Sequence, residues 1–136
     1  MKFKTLSGKT RTISNAKKYR IDWTGSSKSK IQKRVKVYLE KYWQNHIVFE
    51  EFPVAGTRLS LDFYNANKKV AIEVQGKQHT RHVPFFHGQN KYNFVNQLRR
   101  DQDKASFCEL NNITLIEIYE EDELNEKFFI SKGVTL

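Results

Sequence analysis

The chain has 136 residues, a formal net charge of +9 and one cysteine, Cys108. This length suggests a single domain that can bury a core without disulfides or a structural metal, and one cysteine excludes an intramolecular disulfide. The start, MKFKTLSGKTR, lacks the apolar stretch of a secretory signal, and no run approaches the ~18 apolar residues of a membrane-spanning helix. We therefore expect a soluble cytoplasmic protein.

The positive charge is concentrated in the first third of the chain. Residues 1–42 contain 13 Lys and Arg against 2 Asp and Glu, a balance of +11, whereas residues 43–136 have a balance of −2. This asymmetry favours a polyanionic partner, nucleic acid first, over a solubilising tail or a membrane-surface patch. Aromatic residues that could stack on bases or pack in the core lie among these cations: Tyr19, Trp23, Tyr38, Tyr42 and Trp43.

In chain order, residues 1–25 are basic, polar and only weakly periodic, which predicts an N-terminal arm. SSKSKIQKRVKVYLEKYW has apolar residues at helical spacing and predicts a first helix over residues 27–44. HIVFEEF and RLSLDFY predict two strands, NANKK a turn, and VAIEVQ a third strand. A polar loop then leads to a second helix over residues 92–111.

ITLIEIY predicts a last strand, and the acidic EEDELNEK a short exposed helix. In the second helix Phe94, Leu98, Ala105, Phe107 and Leu110 are expected to be buried. The predicted domain organisation is the arm, residues 1–25, followed by one α/β domain, residues 26–136.

Strand parity predicts where two carboxylates meet. In an antiparallel hairpin Leu61 and Phe63 must share a face with Ile72 and Val74, so a hairpin centred on NANKK pairs residues whose numbers sum to about 135. Asp62 then faces Glu73 with Cβ atoms ~5 Å apart. Like charges at that distance repel unless a cation separates them, and oxygen ligands suit Mg²⁺ or Mn²⁺. The plainer interpretation is two separate surface acids.

The segment LSLDFYNANKKVAIEVQGKQH resembles the PD-(D/E)XK nuclease superfamily, in which an Asp on one strand precedes a (D/E)-x-K on the next. With RRDQDKASFCEL and NNITLIEIY, it is most similar to the branch of very-short-patch-repair-like endonucleases and phage homing endonucleases. The resemblance covers roughly residues 27–120. It implies a restriction-endonuclease-like αβββαβ core, a mixed central sheet flanked by helices, and Mg²⁺-dependent hydrolysis of DNA phosphodiesters.

The resemblance also assigns roles to residues. Asp62 and Glu73 match the metal-binding acids, and Gln75 occupies the position of the family's lysine. Glu40 matches an additional metal-binding Glu on the first helix, with Glu50 and Glu51 as competitors for that role. His79 matches a histidine that acts as general base or phosphate ligand; a solvated loop histidine is the alternative.

The cations expected to contact DNA lie on the arm, the first helix, the loop and the second helix: Lys17, Lys18, Arg20, Lys28, Lys30, Lys33, Arg34, Lys77, Arg81, Lys91 and Arg100. On the second helix, Asp101 and Lys104 could pair with each other across one turn. Alternatively, Gln97, Arg100 and Asp101 face the catalytic site.

The sequence therefore predicts a metal-dependent endonuclease of double-stranded DNA, and the resemblance implies an enzyme of homing or repair type that is phage-encoded and acts in the host cell. Two alternatives stay open. One is an inactive nuclease fold that acts as a nucleic-acid-binding or assembly module, which Gln75 in the lysine position favours. The other is a structure-selective nuclease such as a junction resolvase.

Overall fold

A computed structural model describes residues 1–76 and 89–136 of the chain. The fold is mixed α/β, with a mixed sheet flanked by helices. Its elements are β1 (Lys2–Lys4), β2 (Thr10–Thr12), a 3₁₀ helix (Ala16–Tyr19), α1 (Lys30–Trp43), β3 (Val48–Pro53), β4 (Ser60–Asn65), β5 (Val70–Val74), α2 (Gln89–Leu110), β6 (Thr114–Ile118) and α3 (Glu126–Ser131). The predicted helix–three strands–helix–strand order is confirmed.

The main sheet has the strand order β3-β4-β5-β6. Its first three strands are antiparallel, whereas β5 and β6 are parallel, and α2 supplies the crossover that a parallel pair requires. Phe63 pairs with Ile72 and Tyr64 with Ala71, which is the predicted register. The turn between β4 and β5 is closed by the Asn65 side chain, whose Oδ1 accepts a hydrogen bond from the Lys68 N–H at 3.0 Å.

The first helix begins where its sequence supplies a cap. The Ser29 hydroxyl accepts a hydrogen bond from the Gln32 N–H at 3.2 Å, which satisfies one of the free donors at a helix start. Val35, Leu39 and Trp43 then recur on one face and are fully buried. They pack in one core cluster with Val48, Phe63, Ile72, Ile116, Ile118 and Phe129.

A second core cluster joins Phe107 of α2 to Phe52, Tyr64 and Ala71 of the sheet. Of the α2 residues predicted to be buried, Phe107 is, but Leu98 and Leu110 are 44% and 42% exposed, Ala105 is exposed and Phe94 is half-buried. Helical spacing was insufficient to predict burial here, because only the C-terminal half of α2 lies against the sheet's core cluster.

The N-terminal segment is part of this second cluster, which corrects the expectation of an arm. Phe3 is buried, and its ring centroid lies 5.6 Å from that of Phe107 and 5.7 Å from that of Phe52. The Lys4 N–H donates to Asn111 Oδ1 at 2.8 Å, and Asn111 Nδ2 donates back to the Lys4 carbonyl at 3.0 Å. β1 and β2 have three residues each and are mostly polar, so they lack the alternation of apolar and polar residues that predicts a strand.

Glu51 interrupts the regular alternation of β3. Its φ of 54° lies in the left-handed region, and Phe49 and Phe52, three residues apart, pack together with ring centroids 4.7 Å apart. Leu61, opposite Phe52, belongs to the same cluster, whereas Phe63 packs with α1. The prediction that Leu61 and Phe63 share one face is therefore wrong, because a local irregularity of this kind redirects side chains.

The acidic stretch predicted as a helix precedes the helix that forms. α3 begins at Glu126, after Asn125, whose Oδ1 accepts a hydrogen bond from the Phe128 N–H at 2.8 Å. Its apolar Phe129 is buried and anchors α3 against α1. Within residues 1–76 and 89–136, no helix has the length and apolar character needed to cross a membrane.

Candidate active site

Asp62 of β4 and Glu73 of β5 lie side by side and are tied to each other's strands. Backbone pairing of the two strands ends at Phe63 and Ile72, and beyond it side chains take over the backbone donors. Glu73 Oε2 accepts from the Asp62 N–H at 2.7 Å, and Asp62 Oδ2 accepts from the Val74 N–H at 2.8 Å. This exchange fixes both carboxylates at the point where the strands separate.

Both carboxyl groups resist ionisation. Burial, and secondly the negative charge of Asp62, raise the pKa of Glu73 to about 7, although Lys104 opposes the rise. Burial also raises the pKa of Asp62, to which the charge of Glu51 contributes, while the Val74 N–H acts in the opposite direction. Two partly desolvated acids in one place are an arrangement that structures use either to share a proton or to hold a cation.

Lys104 of α2 supplies a positive charge directly at this pair. Its ammonium group forms an ion pair with Glu73 Oε1, and both side chains are largely buried. With Gln97, Arg100 and Asp101, Lys104 lines an open cleft of about 530 Å³ that contains Asp62 and Glu73. Of the two interpretations left open for α2, the structure therefore shows the one in which the helix faces the site.

We call this space the carboxylate cleft. Three further cations line it: Lys28, Arg58 and Arg100. Lys28 and Arg100 were predicted to bind nucleic acid, but Arg58 and Lys104 were not assigned a role in the site. Strand alternation could have predicted that Arg58 lies on the same face as Asp62, because Arg58 precedes Asp62 by four residues on an alternating segment. Lys104 follows Arg100 by one helical turn, so it could have been placed on the same face.

The other predicted catalytic residues are distributed differently. Gln75 directly follows β5 and lines the carboxylate cleft, with its N–H donating to the Ile118 carbonyl at 2.7 Å. Glu40 lies on α1 and is not among the residues that line the cleft, so the structure does not bring it together with Asp62 and Glu73. His79 lies outside the described residues.

Of the two competitors for the Glu40 role, Glu51 is the one whose charge reaches Asp62. Its carboxylate accepts from the Ser60 hydroxyl at 3.1 Å and from Gln32 Nε2 at 3.2 Å. Glu50 instead pairs with the fully buried Lys36, Nζ to Oε1 at 2.8 Å. Glu50 thus neutralises a core lysine, and Glu51 borders the site without lining the cleft.

The cations predicted to bind DNA fall into two groups. Lys33 Nζ donates to the Gly25 carbonyl at 2.6 Å, and the Arg34 guanidinium donates to the Tyr119, Glu120 and Asp122 carbonyls at 3.2–3.5 Å. These two stabilise loops of the chain itself. The others that the structure describes are exposed: Lys17, Lys18, Arg20, Lys28, Lys30, Lys91 and Arg100. Lys77 and Arg81 lie outside the described residues.

Asp62 and Glu73 are two carboxylates of the cleft that could serve as metal ligands. No group of three or more His, Cys, Asp or Glu side chains in the described ranges is placed to hold a metal. Mg²⁺ commonly binds through one or two carboxylates, with waters and phosphate oxygens completing the shell. Asp62 Oδ1 accepts no hydrogen bond from any described residue, so it is one ligand atom open to the cleft.

Cys108 is no alternative nucleophile. It is buried in the second core cluster, and burial, together with the charge of Glu73, raises the pKa of its thiol to about 12. Since the thiolate is the reactive form, this cysteine is inert at neutral pH.

Three viral proteins are similar to part of this chain. The uncharacterized protein 307L of Invertebrate iridescent virus 6 is 43% identical over 60 residues, which are 44% of this chain and 30% of that protein. The uncharacterized protein 094L of Frog virus 3 is 39% identical over 66 residues, 48% of this chain and 43% of that protein. The uncharacterized protein 033L of Invertebrate iridescent virus 3 is 38% identical over 66 residues, 34% of its length.

The similarity thus spans less than half of each viral relative. No family model matches the chain, and no solved structure does.

Proposed function

We propose that the protein is a metal-dependent DNA endonuclease that hydrolyses phosphodiester bonds, built on a restriction-endonuclease-like core of the PD-(D/E)XK type. The observation that carries this proposal is the pair Asp62 and Glu73, fixed side by side in an open cleft with Lys104 between sheet and helix. The αβββαβ order and the mixed sheet support the same proposal.

Asp62 and Glu73 would hold Mg²⁺ or Mn²⁺, with Glu51 near enough to act on Asp62 electrostatically. A divalent ion there would withdraw charge from a phosphate oxygen and make water a better nucleophile. The raised pKa of both acids is a physical reason for a cation to bind, because two buried carboxylates that repel each other are relieved by positive charge between them.

In this proposal, Lys104 replaces the lysine that the family pattern has at the position of Gln75. The family pattern expects a lysine where this chain has Gln75, yet Lys104 brings an ammonium group to Glu73 from α2. In the proposed mechanism the Lys104 ammonium group stabilises the negative charge that develops on the phosphate. Gln75, on the same edge of the cleft, orients the attacking water through its amide.

Arg58, Arg100 and Lys28 would hold the substrate rather than react with it. All three are exposed and border the cleft that contains the carboxylates. Cations placed in this way contact phosphates irrespective of base sequence and fix the backbone in register with the reacting groups.

The binding-module alternative loses its main support if Lys104 acts as proposed, and a cleavage panel decides the question. Plasmid, linear duplex, flap, four-way junction and RNA should be incubated with the protein, with and without Mg²⁺ or Mn²⁺. We expect cleavage of duplex DNA only with metal. Cleavage confined to junctions or flaps would favour the structure-selective alternative, and tight binding without cleavage of any substrate would refute the nuclease proposal.

A further inference from the structure

Three clefts on the surface adjoin one another through shared residues. The carboxylate cleft shares Arg58 with a cleft of about 340 Å³ between β2 and the turn from β3 to β4, which we call the hairpin cleft. On its other side, the carboxylate cleft shares Lys28 with a third cleft of about 530 Å³ beside the 3₁₀ helix, which we call the 3₁₀ cleft. We call these three adjoining clefts together the depression; Asp62 and Glu73 line its middle cleft.

Exposed cations mark the whole length of this depression. Arg11 lines the hairpin cleft, Arg58 and Lys28 lie at the two junctions, and Lys18 and Arg20 line the 3₁₀ cleft. Across the described parts of the chain, none of these five side chains forms a salt bridge. Their charges are therefore available to an anion from outside.

The acids that line the same surface have partners within the chain. In the 3₁₀ cleft Glu50 is neutralised by Lys36 and accepts from the Ser27 hydroxyl at 2.9 Å. Asp22 accepts from the N–H and the hydroxyl of Thr24 at 3.1 and 2.9 Å. The five cations are thus exposed and without an ion pair to any described residue, whereas Glu50 is neutralised by Lys36 and the exposed Asp22 is hydrogen-bonded to Thr24. Positive charge therefore dominates this surface, as binding of a phosphate backbone requires.

We propose that one strand of a DNA duplex lies along this depression, with its backbone held by Arg11 and Arg58 on one side of the carboxylates and by Lys28, Arg20 and Lys18 on the other. The inference rests on the proposed function and adds the substrate path. Because cations lie on both sides of the carboxylates, a strand bound in this way is held on both flanks of the reacting phosphate, and the protein cuts within the strand. It also gives the β1–β2 hairpin, through Arg11, a role in binding.

The test is the salt dependence of DNA binding, measured without divalent metal so that cleavage does not intervene. Fluorescence anisotropy of a labelled duplex oligonucleotide gives the affinity of the full chain over a series of potassium chloride concentrations. Each lost phosphate contact reduces the slope of log affinity against log salt by about 0.7 to 0.9. We expect this reduction for Arg11→Ala and again for Lys18→Ala, and about twice as much in the double variant.

Lys127→Ala is the matched control, because Lys127 is an exposed lysine on α3, outside all three clefts. Its slope should equal that of the unmodified chain. Equal slopes for Arg11→Ala, Lys18→Ala and Lys127→Ala would overturn the path. So would competition by polyglutamate as strong as that by DNA, since it would show general attraction to polyanions.

A closed circular oligonucleotide separates internal from terminal binding, and it should bind as tightly as a linear one of equal length. Loss of binding to the circle would refute binding within a strand. These binding results are independent of catalysis: the path can fail while the chain still cleaves DNA, and the nuclease proposal can fail in the cleavage panel while the slopes still map the path.

Discussion

Replacing Glu73 by Gln should change how the stability of the metal-free protein depends on pH. The folded-state pKa of Glu73 is about 7, compared with its ordinary value of 4.5, and each unit corresponds to about 1.4 kcal/mol. Because the folded state holds this proton more tightly, the stability contribution is fully present below about pH 4.5 and is lost as the pH rises through about 7. The loss attributable to Glu73 is at most about 3 kcal/mol.

The assay is urea unfolding in a metal chelator, from about pH 5 to about pH 8. The free energy of unfolding of the unmodified chain, minus that of Glu73→Gln, should fall steadily across this range by up to about 3 kcal/mol. Groups that do not interact with Glu73 are common to both proteins and cancel in the difference, whereas Asp62, whose charge acts on Glu73, contributes together with it. The control is Glu109→Gln, which makes the same chemical change at an exposed position on the same helix as Lys104, outside the carboxylate cleft.

A difference that is constant or that grows with pH would refute this reasoning. It would mean that Glu73 ionises without a penalty, so that neither burial nor the neighbouring Asp62 carboxylate opposes its charge. Excess Mg²⁺ should flatten the pH dependence of the unmodified chain, because a cation between the carboxylates favours their ionised forms.

Three further changes test the site and the core. Lys104→Met should lower the cleavage rate about 10²- to 10³-fold in a plasmid nicking assay while DNA affinity changes little, and Lys104→Arg should restore part of the rate. Phe3→Ala should lower the free energy of unfolding by about 3–5 kcal/mol, whereas Lys2→Ala, at an exposed position, should lower it by less than about 0.5 kcal/mol. Equal effects would mean that residues 1–25 form an arm outside the core. Lys36→Met should cost about 3–5 kcal/mol by leaving Glu50 unpaired, and adding Glu50→Gln should recover stability in the same urea assay.

Sequence patterns were sufficient where an element has a strong period or a hard constraint. Helical spacing predicted α1 with Val35 and Leu39 on its apolar face, and alternation predicted the strands that follow, whereas the sequence left open whether Trp43 is buried, as it is in the structure. The β4–β5 register was predicted from the NANKK turn together with strand parity, because a slip of one residue would turn Phe63 or Ile72 away from the core. The register is correct although the assumed shared face of Leu61 and Phe63 is not, and it places Asp62 beside Glu73.

Sequence patterns did not predict the features whose structure depends on contacts between residues that are distant in sequence. The β1–β2 hairpin has one apolar residue, Phe3, in its first strand, so its docking depends on a pocket made by Phe52 and Phe107 that are distant in sequence. The backbone at Glu51 is left-handed, but the residue there is neither Gly nor Asn, the types that would have predicted this conformation. Lys104 is one of several charged residues on α2. Only the packing of α2 against β6 and the sheet determines that Lys104, of these residues, forms the ion pair with Glu73.

If Asp62 and Glu73 form a metal-dependent hydrolytic site, Asp62→Asn should abolish nicking of supercoiled plasmid. Asp103→Asn makes the same chemical change on α2, at a residue that does not line the carboxylate cleft. We expect the unmodified chain and Asp103→Asn to nick DNA in Mg²⁺ but not in chelator, and Asp62→Asn to bind DNA without nicking it. Nicking by Asp62→Asn at the unmodified rate, or nicking that persists in chelator, would contradict the proposed site.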